Sequence, residues 1–157
     1  MKVQAVDSKT GKTVEKDLPS LSASFIGAMT DLEFSDEKIK RIISLMDISA
    51  DAKSVLYSVS AVTIRIGQNV VKIGRKIIDG IAMLFEEFPN AAWGVVLGAI
   101  FGALISLVPM IGVALGAIIA PISMAYGLVK GLDEDLADKK LTRKIREMSQ
   151  AYAPLAS

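Results

Sequence analysis

At 157 residues, the chain is long enough for one domain or one compact assembly, and its 52% hydrophobic content lies slightly above the globular average. Its 18 basic and 17 acidic side chains nearly cancel, which argues against a nucleic-acid partner held by bulk charge. With no cysteine and no histidine, there is no disulfide framework or thiolate metal site, and the commonest general base and metal ligand are missing.

The opening segment, "MKVQAVDSKTGKTVEKDLP", is polar and mixed in charge. It has no apolar h-region, so the expectation is no secretory signal peptide and synthesis in the cytosol. Within an N-terminal arm over 1–20, "VQAV" and "TVEKDL" flank the turn formers Asp7, Ser8 and Gly11. A small β-hairpin and a disordered arm both fit.

Residues 21–90 read as amphipathic helices. "SLSASFIGAMTDL" predicts a short helix. Ser35 predicts an N-cap, with Asp36 and Glu37 in the first turn and Ile39, Ile42, Ile43 and Met46 at helical spacing. From about Ser49 to Phe88, Val59, Ile66, Ile73 and Gly80 recur every seventh residue, as do Val70, Ile77 and Leu84. They predict a basic amphipathic helix, or two broken near Gly67 or Gly74. Arg65, Lys72, Arg75 and Lys76 lie largely off the stripe. One reading is a core-facing helix with a solvated face; the other lays these cations on an anionic membrane surface. Pro89 ends the segment, and Asn90 suits an N-cap for the next one.

From Phe88 to Val129 there is no charged side chain. The block 91–129 would make one straight helix of about 58 Å, against a hydrocarbon core of about 30 Å. Pro109 divides it into Ala91–Val108 and Met110–Val129, each long enough for a span. The expectation is a transmembrane hairpin turning at Pro109. Cationic flanks on both sides put both termini in the cytoplasm, and Trp93 and Tyr126 fall near the interface.

Small residues mark one face of each half: Gly94, Gly98, Gly102 and Ser106, then Gly112, Gly116 and Ala120. Ser123, Gly127 and Gly131 resume the pattern past Pro121 in a shifted phase. Helices in lipid associate through such faces. One stripe suffices to close the hairpin, and the other predicts a homo-oligomer. A soluble protein burying the hairpin under its flanking helices is the alternative.

The tail 130–157 predicts a charged helix from Asp133 to about Tyr152, with acids first and Lys139, Lys140, Arg143, Lys144 and Arg146 later. Leu132, Leu136, Ile145, Met148 and Tyr152 give it an apolar face. The acidic cluster "DEDLAD" has no EF-hand spacing, and "GQNVVKIGRK" has no phosphate-loop spacing. No metal site, cofactor, nucleophile–base pair or small-molecule substrate is expected.

Amphipathic helices around a charge-free hairpin near the C-terminus resemble helical pore-forming proteins of the colicin type. The same gross features resemble small phage membrane proteins, including holins and DNA-ejection components. The resemblance implies an all-α fold and a membrane-inserting oligomer that forms a channel or permeabilises a bilayer, with lipid and further copies of itself as partners. A non-conducting membrane anchor or virion component is a second expectation, and a soluble helical oligomer with a buried hairpin a third.

Overall fold

The computed structural model describes residues 1–18, 21–127 and 138–156. It corrects the all-α expectation: the helices share the fold with a four-stranded antiparallel sheet.

Strands β1 (Lys2–Val6) and β2 (Thr13–Asp17) form the N-terminal hairpin, registered from Lys2↔Asp17 to Val6↔Thr13. The turn forms where its residues require it. Asp7 Oδ1 accepts from the Lys9 and Thr10 amides at 2.8 and 3.2 Å, and Gly11 takes a φ of +74°. On β1, Val3 and Ala5 point into the core, and Gln4 faces out to Glu15.

Helices α1 (Ala23–Thr30), α2 (Asp36–Leu45) and α3 (Ala50–Ser60) follow. Ser22, Ser35 and Ser49 cap them by accepting from the amides of Phe25, Lys38 and Ala52. The core face expected of α2 is the one observed: Ile39, Ile42, Ile43 and Met46 are all buried.

The region from Ser49 to Phe88 is neither one helix nor two helices meeting at a break. Strands β3 (Ile64–Ile66) and β4 (Asn69–Val71) lie between α3 and α4 (Ile73–Glu87). Gly67 occupies the first position of their two-residue turn at φ +61°, with no positive φ at Gln68, the type II′ pattern that suits a hairpin. β3 also pairs with β1, giving the order β2-β1-β3-β4. Val59, Ile66 and Ile73 are all buried, but in a helix, a strand and a helix. Their seven-residue recurrence reported burial rather than helix.

The uncharged block forms α5 (Trp93–Leu107), α6 (Pro109–Leu115) and α7 (Ala120–Tyr126). The break at Pro109 falls where expected, with the proline in the first turn of α6. The second expected span is not one straight helix. α6 and α7 are bent by 99° across a short break, because Pro121 lacks an amide hydrogen and its ring cannot follow a straight helix. Among the described residues, no single helix is long and apolar enough to cross a membrane. At about 22 Å, α5 falls short of a bilayer core. It runs through the protein interior instead, buried on nearly every side and in contact with α6, α7 and α8 (Lys139–Gln150). A helix apolar all round belongs in such a place.

Asp138 caps α8 through the Lys140 and Leu141 amides. Val129, Gly131, Leu132, Leu136 and the rest of the acidic cluster lie outside the described residues, as do Pro19 and Ser20.

Candidate functional site

The small-residue face of α5 is used within the chain. A Cβ at Gly94 would overlap the Tyr126 ring, and one at Gly98 would overlap the Gly127 carbonyl oxygen. α7 therefore returns across the first two turns of α5 at a backbone separation that only glycine allows. Gly127 itself ends α7 at φ +76°. Tyr126 extends the contact to α3: its hydroxyl accepts from the Ser49 amide at 3.1 Å. Gly102 is buried farther along α5, and Ser106 is exposed at its end.

The second stripe has other neighbours. A Cβ at Gly112 would lie 3.2 Å from Ile105 Cγ2, and one at Gly116 would lie 2.7 Å from the Gly112 carbonyl of its own helix. Gly112 and Gly116 line a surface cleft with Pro109, Ile105 and the β1–β2 turn. Ser8 of that turn is a clasp. Its amide donates to Val113 O at 3.0 Å, and its hydroxyl accepts from the Ala117 amide at 2.9 Å. These bonds take up polar groups left open at the C-terminal end of α6. Ala120, the last residue of the expected stripe, is half-buried at the start of α7.

The covering of the block is incomplete on α7. Met124 is 88% exposed, and Pro121, Ala125 and Gly127 are exposed beside it in sequence.

The four cations expected at a membrane surface do not share one face. Arg65 is exposed on β3, and Lys72 is exposed just before α4. Lys76 is half-buried and donates to Asp31 O at 2.6 Å. Arg75 is 6% exposed and lies inside the protein. It donates from Nη1 to Asp79 Oδ1 at 3.3 Å, from Nε to Asp36 Oδ1 at 3.0 Å, and from Nη2 to the Phe34 carbonyl. Asp79 accepts in addition from the Glu33 and Phe34 amides, both at 3.0 Å. This network ties the α1–α2 connection to the buried face of α4.

Trp93 is likewise internal at 1% exposure. Its indole nitrogen donates to Phe88 O at 2.9 Å, and its ring centroid lies 5.5 Å from that of Phe85. The expected interfacial pair, Trp93 and Tyr126, thus forms internal contacts at the mouth of the α5–α7 packing.

Sequence reasoning missed Asp79, and it gave Ser8 and Gly74 other roles, a turn former and a helix break. Asp79 had a readable signal: an acid four residues after Arg75 inside an apolar stretch. Gly74 stands where a Cβ would overlap the Val59 carbonyl, so α3 and α4 meet backbone to backbone there. Only tertiary packing reveals that contact or the partner of Ser8. No protein family, curated protein or solved structure shows detectable similarity to this chain.

Proposed function

We propose that this is a membrane-active protein in a closed form, with its uncharged block stored as core and released into a bilayer to self-associate and permeabilise it. The supporting observation is that α5, uncharged from end to end, occupies the interior and meets α7 closely at Gly94 and Gly98. Such contacts cost little to transfer, since apolar surface that leaves the core re-enters hydrocarbon and close backbone packing works equally well there. Exposed Met124 offers a first contact with lipid. Gly94 and Gly98 become available to a second copy only when α7 lifts away. The acting location is then a membrane, and the partners are lipid and further copies of the chain.

A second reading makes the block a permanent core. It is favoured by the same glycines being filled within one chain.

A reversible lock distinguishes the two. The chain contains no cysteine, so Ser8→Cys with Ala117→Cys places a single pair across the clasp. Wild-type protein and the reduced pair should release trapped dye from phosphatidylglycerol–phosphatidylethanolamine vesicles, and the oxidised pair should not. No release from any of them favours the permanent core. Equal release from the oxidised and reduced pairs rules out opening at α6.

A further inference from the structure

Helices α1, α4 and α8 leave a groove of about 380 Å³ between them, large enough for a small ligand. Its walls are rich in methionine: Met29 from α1, Met83 from α4 and Met148 from α8. Met148 fills the notch at Gly80, where a Cβ would lie 3.2 Å from its sulfur. Unbranched thioethers of this kind repack readily around an apolar guest.

The polar end of the groove is specific. Tyr152 lines it and is only 2% exposed, yet its hydroxyl has no hydrogen-bond partner among the described residues. Tyr152 is one of the residues that line the groove, which places its phenol at the groove wall. Burial, with the Asp79 carboxylate adding to it, holds the phenol well above its usual pKa. It therefore remains a donor at neutral and mildly alkaline pH. Asp79 lines the same groove, and among the described residues its Oδ2 accepts one bond, from the Glu33 amide. A donor and an acceptor are thus presented together.

We propose that the groove binds a neutral amphiphile, an aliphatic body ending in a hydroxyl, which accepts from Tyr152 and donates to Asp79. A hydroxyl satisfies both groups through one oxygen. A carboxylate head would confront Asp79, in a lining that holds Asp79, Glu87 and Glu147 against Lys76 and Lys144.

The test titrates 1-octanol into the full chain carrying ¹³C-methyl methionine, read by NMR. The methyls of Met29, Met83 and Met148 should shift saturably while those of Met1 and Met46 stay still. Tyr152→Phe breaks no hydrogen bond among the described residues and should weaken binding about ten-fold, the effect of one lost buried hydrogen bond. Octanoate should bind more weakly than octanol. Gly80→Leu, which fills the groove from its floor, should abolish the shifts. The proposal fails if the shifts are unsaturable or centre on Met110 and Met124, or if Tyr152→Phe binds octanol as tightly as wild type.

Discussion

Asp79 sits on the buried face of α4 at 1% exposure, among Ile77, Ile78 and Ile81. An ionised carboxylate there is tolerable only with partners, and it has three donors: two main-chain amides and the Arg75 guanidinium. The other ion pair of Arg75, with Asp36, reaches a side chain that is 84% exposed and is correspondingly weak. Asp79→Ala therefore leaves a buried guanidinium without its main counter-ion and two amides without acceptors. We expect a loss of about 3–5 kcal/mol in urea unfolding, the range for breaking a buried pair from one side. Adding Arg75→Met should recover part of that loss, because the stranded charge is gone. The i, i+4 spacing of Arg75 and Asp79 was legible in the sequence. Their burial was not, because the segment 31–36 that supplies the remaining partners precedes them by some forty residues and only the fold brings it there.

At the scale of the element, glycine has two opposite meanings in this chain. Gly98 sits where α5 meets the Gly127 carbonyl, whereas Gly27 on α1 has nothing within 4 Å of its missing side chain. Gly98→Ile should push α7 from α5 and lower the thermal midpoint sharply. Gly27→Ala should raise stability by about 0.5–1 kcal/mol, by the helix propensity gained in open space. Both are read in the same melting experiment, and a Gly98→Ile midpoint within a degree of wild type would remove the close-packing role. Spacing alone marked Gly94, Gly98 and Gly102 as a contact face, and that much was legible. The partner of Gly94 and Gly98 was not: a stripe of small residues has the same pattern whether it meets a second copy in lipid or an aromatic ring and a carbonyl of its own chain. The helices at Ser35 and Pro109 were legible because a cap and a proline act locally. The β3–β4 hairpin was hidden because Ile66 on β3 and Val70 on β4 fall within seven-residue recurrences that continue into the neighbouring helices.

For the whole molecule, the sheet and the amphipathic helices together bury most of a block whose composition alone is that of a membrane span. Composition establishes that the block avoids water, but not what it meets instead. That depends on how much apolar surface the rest of the chain offers, and Ile39, Leu56, Ile77 and Ile145 lie on four separate helices of one continuous core. If the closed form opens at a bilayer, its rate of membrane attack depends on the population of the open form, which is a property of the entire fold. Ser8→Ala removes the hydroxyl that accepts from Ala117 while leaving the Ser8 amide on Val113. The same hydroxyl also donates to Val113 O, at a long 3.4 Å, so the loss is about 1 kcal/mol, the worth of one good bond, which corresponds to about a five-fold larger open population. Dye release by Ser8→Ala should accelerate by about that factor. Asp79→Ala, far costlier to global stability but remote in sequence from the clasp, separates two routes. If the block leaves by local opening of α6 and α7, the cheaper Ser8→Ala variant is the faster one. If it leaves by global unfolding, rates follow unfolding free energy and Asp79→Ala leads. A Ser8→Ala protein that releases dye no faster than wild type would show that the N-terminal hairpin does not restrain the block.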